Sequence, residues 1–142
     1  IDFVKILSED FENENLIKKL LNSKIKKIYI STGGIPLKKI KTIIEKIPKN
    51  KLHKICLIYT EFERIIKKNN LKKINLLKKI CKRVAYGQHS NNKKILFEVK
   101  KYKPESIFFY IKGNRLKFHP DDNHALSISE INYYINKLKI IL

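Results

Sequence analysis

Three carboxylates and a glycine pair are the residues of this chain whose types and spacing could do chemistry. Glu9 follows one short apolar run, and Glu61 and Glu63 follow another as Glu-Phe-Glu. On an extended strand, residues i and i+2 point to the same side. Glu61 and Glu63 would then share one Mg²⁺ or Mn²⁺ with Glu9, because hard cations take oxygen ligands. If a helix has already begun there, the two diverge and simply favour its positive end. Thr32-Gly33-Gly34 lies between an apolar run and a helical pattern that starts at Pro36. Backbone N–H groups at such a corner, unobstructed by side chains, form a phosphate cradle. The same pair also suits a tight turn that needs positive φ. A third group is Lys100, Lys101, Lys103, Lys112 and Arg115, set among Tyr102, Phe108, Phe109, Tyr110 and Phe118. Basic residues hold phosphates and aromatic rings stack bases, so this is a nucleic-acid-binding pattern, for DNA or RNA. "IFFY" is equally the pattern of a buried strand.

The elements that must position these residues follow from periodicity. "DFVKIL" (2–7), "KIYIS" (27–31) and "HKICLIY" (53–59) read as strands, the last apolar nearly throughout. Leu16, Ile17, Leu20 and Leu21 keep helical spacing, as do Leu37, Ile40, Ile43, Ile44 and Ile47. Residues 61–84 read as one or two Lys-rich helices, and Gly87 to Asn92 as a polar loop. "KILFEVK" (94–100) and "SIFFYIKG" (106–113) read as strands, with Gly113-Asn114 turning into "RLKF". "HPDDNHA" is an Asx-rich turn before a closing helix, which Ser127 and Glu130 cap at capping-box spacing. The order predicts a single α/β domain over 1–142. It is a three-layer fold with a short parallel sheet (βαβαβα), extended by a C-terminal β-hairpin and a closing helix. In such sheets ligands bind beyond the carboxyl ends of the strands, where Glu9, Thr32-Gly33-Gly34, Glu61 and Glu63 all fall.

The net charge of +19 points to a polyanionic partner. Yet it comes from 29 Lys and only 3 Arg in a chain rich in Ile and Asn. These are residues of A/T-rich codons, and Arg is the better phosphate and base fork. No apolar run approaches the ~20 residues that span a bilayer, so no membrane partner is expected. Cys56 and Cys81 lack the spacing of a disulfide framework or zinc site and suit a reducing, intracellular compartment.

"FVKILSED", "IYISTGG" and "KICLIYTEFE", with the helices between them, resemble the Toprim domain of primases and topoisomerases, above all the versions attached to plasmid relaxases. The resemblance covers residues 1 to about 70. It implies that Glu9 is the catalytic general acid/base and that Glu61 and Glu63 stand where the family has its metal-binding Asp pair. Glu replaces Asp at both positions, and the glycine that follows the pair in the family is absent. The expectation is a nucleic-acid-associated domain, a degenerate Toprim-like module processing phosphodiesters or nucleotides. The alternative is a non-catalytic interaction or assembly subunit whose Lys-rich surface reflects A/T-rich coding.

Overall fold

The computed structural model describes residues 1–62, 68–113 and 118–139. Five strands pair in chain order and all in parallel: β1 (Phe3–Ile6), β2 (Lys27–Ser31), β3 (Ile55–Thr60), β4 (Val84–Gly87) and β5 (Ile107–Phe108). A helix lies in each connection: α1 (Glu14–Asn22), α2 (Leu37–Glu45), α3 (Lys73–Ile80) and α4 (Ile95–Val99). Two short strands, β6 (Ile111–Lys112) and β7 (Leu126–Ser127), pair in parallel, and α5 (Ile128–Lys139) follows.

Strand alternation divides the core in two. Ile28, Ile30, Ile55, Leu57, Val84 and Tyr86 pack with Ile17 and Leu21 of α1, Ile40 and Ile44 of α2, Ile74 and Leu77 of α3, and Leu96 and Val99 of α4. The opposite face buries Tyr29, Cys56, Ile58 and Ala85 with Phe108 against them, and among the described residues no helical side chain joins that cluster. The sheet is curled round this second face. In a flat sheet β1 and β5 would stand about 19 Å apart, four strand spacings. Yet Lys5 of β1 places its ammonium 5.6 Å from the centre of the Phe108 ring on β5. Tyr29 of β2 likewise meets Phe108 edge-on at 4.9 Å, and its hydroxyl lies 3.1 Å from Ser106 Oγ.

The α/β class and the parallel βαβαβ order stand as the sequence predicted. The C-terminal half takes a different form. Residues 94–100 were expected as a strand, since Ile95, Phe97 and Val99 alternate. They form α4 instead, because Ile95, Leu96 and Val99 share one buried helical face, with Leu96 and Val99 completely enclosed. The helix separates β4, which the sequence reading missed at Val84–Gly87, from β5. The described strands of this half therefore pair in parallel where a hairpin was expected. Asn114 of the expected turn, and Arg115, Leu116 and Lys117 of the expected "RLKF" strand, lie outside the described residues, as does Glu63; Phe118 is exposed and in no strand. One half of the expected capping box on α5 forms: the Glu130 carboxylate accepts from Ser127 N at 2.8 Å, and the Ser127 hydroxyl donates to the same carboxylate at 2.9 Å. Among the described residues no helix is long and apolar enough to cross a membrane.

Candidate functional site

Curling a parallel sheet gathers the segments that follow its strands into one mouth. Four rings meet there. Phe62 follows β3, His89 follows β4, Tyr110 follows β5, and His124 arrives from the turn before β7. The His89 ring centre lies 6.0 Å from Phe62, 5.3 Å from Tyr110 and 5.0 Å from His124, and Tyr110 lies 4.9 Å from His124. His124 is delivered by the turn Pro120–Asn123, which closes on itself. His119 Nδ1 accepts from Asp121 N at 3.3 Å, and the Asp122 carboxylate accepts from His119 N at 2.9 Å.

The electrostatics of the mouth follow from its enclosure. Burial pushes the pKa of His89 below the ordinary histidine value, and the neighbouring His124 and Lys5 push it the same way against the opposing charge of Asp121. Burial also lowers His124, again opposed by Asp121. Both imidazoles are therefore neutral near pH 7, each with one N–H donor and one acceptor nitrogen. His124 is 8% exposed, and its Nε2 is buried with no hydrogen-bond partner among the described residues. That atom stands 3.4 Å from an Asp121 carboxylate oxygen. A buried polar atom left unpaired costs free energy, so a site that offers one favours a ligand able to pair with it.

The residues singled out from the sequence are placed as follows. Gly34 has φ of 73°, and a Cβ on Gly33 would stand 2.5 Å from Cζ of Phe62. The turn and the close approach of that ring thus account for both glycines. Thr32 pins β2 to β3, donating to the Ile58 carbonyl from its N–H at 3.0 Å and its hydroxyl at 2.9 Å. Glu9 is exposed in the turn Ser8–Asp10 after β1. Glu61 receives the Tyr59 hydroxyl and the Lys73 ammonium, the latter at 3.2 Å. It lines, with Thr32, Gly34 and Thr60, a cleft of about 320 Å³ that also touches Leu37 and Ile40 of α2 and Leu77 of α3. Among the described residues no three His, Cys, Asp or Glu side chains are grouped to hold a metal ion.

The basic set is dispersed into local contacts. Lys100 reaches the Lys137 carbonyl, Lys101 pairs with Glu98 at 2.9 Å, Lys112 donates to the Asp122 carbonyl at 3.0 Å, and Lys103 takes a left-handed backbone at φ of 46°. Sequence reasoning missed His89, which it left in a polar loop. The signal was a histidine two residues beyond the short apolar run "VAYG".

The fold is similar to the crystal structure of a protein described as spore coat polysaccharide biosynthesis protein E, from Chromobacterium violaceum. The TM-score is 0.81 at 14% identity, covering 100% of this chain and 43% of that one. The chain thus spans less than half the length of that structure. No curated protein matches it. The NeuB family matches residues 1–138. This match overturns the Toprim resemblance, which rested on residues 1 to about 70 and on a strand-turn-helix order common to parallel α/β chains. The nucleic-acid-binding, DNA-processing reading and its DNA or RNA partner fall with it, since the family match points to carbohydrate biosynthesis instead. Over nearly its whole length, the chain belongs to the NeuB family.

Proposed function

We propose that this chain is part of an enzyme domain of carbohydrate biosynthesis and that it binds a hydroxylated sugar at the carboxyl mouth of its curled sheet. The observation that carries the reading is the neutral imidazole pair His89 and His124, with the buried, unpartnered Nε2 of His124 between ring walls. NeuB membership and the fold likeness to a polysaccharide biosynthesis protein support the substrate class. The location accords with parallel βα sheets, whose sites are built from the segments after the strands. His124 and His89 exchange hydrogen bonds with sugar hydroxyls, and Phe62 and Tyr110 supply apolar faces for the ring. The two free, buried thiols Cys56 and Cys81, the former pushed up to about 12 by burial, accord with a reducing compartment.

The test is a titration of the protein with free hexoses and N-acetylhexosamines, followed by the NMR signals of the histidine rings. The expected result is saturable movement of the His89 and His124 signals, with affinity lowered about tenfold in His124→Ala, the loss of one hydrogen bond in an enclosed site. If no sugar moves either ring, the reading is overturned.

A further inference from the structure

Directly beneath the mouth lies a buried polar chain that the site itself does not use. The Tyr86 hydroxyl donates to Gln88 Oε1 at 2.8 Å, and Gln88 Nε2 donates to the Ser90 carbonyl at 2.7 Å. Gln88 is 1% exposed, and Tyr86 and Ser90 are completely enclosed. The backbone N–H of Gln88 is also used, donating to the Phe108 carbonyl at 2.8 Å. A primary amide taken from water costs free energy unless both its ends are paired, and here both are.

The geometry of this chain bears on its neighbour. Tyr86 belongs to the helix-facing core, and strand alternation puts Gln88 on the same side. His89 lies between Gln88 and Ser90 and faces the opposite way, onto Phe62, Tyr110 and His124. The Gln88 side chain reaches past His89 to the carbonyl of residue 90, so it brackets the backbone on both sides of that histidine. Tyr86 fixes the far end of the bracket.

We propose that Gln88 is a positioning residue for His89: clamped between the Tyr86 hydroxyl and the Ser90 carbonyl, it sets the direction in which the imidazole enters the mouth. This rests on the reading of the mouth as a sugar site only for its consequence, the affinity; the orientation of His89 is independent of the ligand.

The experiment compares wild type with Gln88→Leu and Tyr86→Phe, following the NMR titration of each histidine ring. In both variants the His89 midpoint should rise toward its ordinary value of 6.5 as the ring is released from its enclosed position. Sugar affinity should fall about tenfold in Gln88→Leu, as expected for one misplaced hydrogen bond. A purely structural glutamine would lower the melting temperature and leave the His89 midpoint where it is. An unchanged midpoint in folded Gln88→Leu therefore overturns the proposal. If that variant does not fold, Tyr86→Phe, which removes a single oxygen and keeps the ring, decides in the same way. If wild type binds no sugar and the midpoint still moves in the variants, the positioning role stands and the carbohydrate reading fails.

Discussion

The two ends of the sheet treat their polar groups in opposite ways. At the amino ends of the strands, Arg83 forks onto Glu105, Nε at 2.6 Å and Nη2 at 2.8 Å, and its remaining nitrogen reaches the His53 carbonyl. Lys27, the first residue of β2, adds a third cation contact to Glu105 at 2.7 Å. The Arg83 guanidinium, with Lys27 helping and burial opposing, holds the Glu105 carboxyl down at about 2. At the carboxyl ends the histidines are neutral, and the buried Nε2 of His124 has no partner among the described residues. A floor with its charges paired stabilises; a mouth with an unpaired polar atom is free to bind.

The largest expected effect lies at the floor. Glu105→Ala removes a bidentate, partly solvent-screened partner and leaves Arg83 and Lys27 facing each other, so stability should fall by about 1.5 kcal/mol. His124→Ala should change it by less than about 1 kcal/mol, because the lost packing is offset by removal of an unpaired buried nitrogen. Urea unfolding of the two variants measures both. If His124→Ala proves the more destabilising, the division into a stabilising floor and a binding mouth is broken.

The second effect separates the two ends by pH. His89 and His124 have lowered pKa values when folded, so the unfolded chain binds more protons just below 6.5. Their contribution is fully present above 6.5 and is lost as pH falls below it. Glu105 has its pKa lowered from 4.5 to about 2, so its contribution is present above 4.5 and is lost as pH falls toward 2. The melting temperature should therefore decline in two stages on acidification. His89→Ala with His124→Ala should flatten the first stage, and Glu105→Gln should weaken the second, which Glu130, also held down at about 2 by Lys93 and Ser127, shares. A decline that lacks the first stage would show that the mouth histidines are not held neutral by burial.

The same contrast explains what could be read from the sequence. The strands β1 to β3 and helices α1 and α2 were legible because each presents one unambiguous period, as in Leu37, Ile40, Ile43 and Ile44. The stretch 94–100 fits both periods, and only packing against the helix-facing core selects the helix. β4 (Val84–Gly87) was hidden because its residues straddle the end of the Lys-rich helical stretch and the start of the polar loop at Gly87. The carboxylates Glu9 and Glu61 were placed at the correct edge by chain order. However, chain order says nothing of partners, and Glu61 turned out to be held by Tyr59 and Lys73. His89 and His124 are 35 residues apart and meet because the turn Pro120–Asn123 and β7 return beside the end of β5, which no local signal encodes.

The glycine corner gives a smaller effect. Gly34 has φ of 73°, where a side chain crowds the following carbonyl. Gly34→Ala should cost about 1 kcal/mol of stability and leave the titration of His89 unchanged, because the strain is in the backbone of the turn. Unfolding in urea measures the first, and ring NMR the second. A Gly34→Ala protein as stable as wild type would mean that the turn relaxes to negative φ.

The smallest expected effect on stability is at the adjacent glycine, and it acts on the mouth. A Cβ on Gly33 would lie 2.5, 2.9 and 3.1 Å from three atoms of the Phe62 ring, and no backbone atom is among its nearest neighbours. That ring is 58% exposed, so it can swing outward with little loss of buried area. Gly33 itself is buried, yet the atoms that crowd it belong to a ring that can move, so Gly33→Ala should change stability by only about 0.5 kcal/mol. Phe62, however, is also one wall of the mouth, edge-on to His89 at 6.0 Å. Displacing it removes the ring current on the His89 signals and admits water beside the imidazole. The His89 midpoint should then rise toward 6.5 while the melting temperature hardly moves. Gly33 and Gly34 would thus separate: the first keeps a ring over the mouth, the second keeps the turn. If Gly33→Ala instead destabilises as much as Gly34→Ala and leaves His89 untouched, the pair is a turn and nothing more, and Phe62 is no part of the mouth.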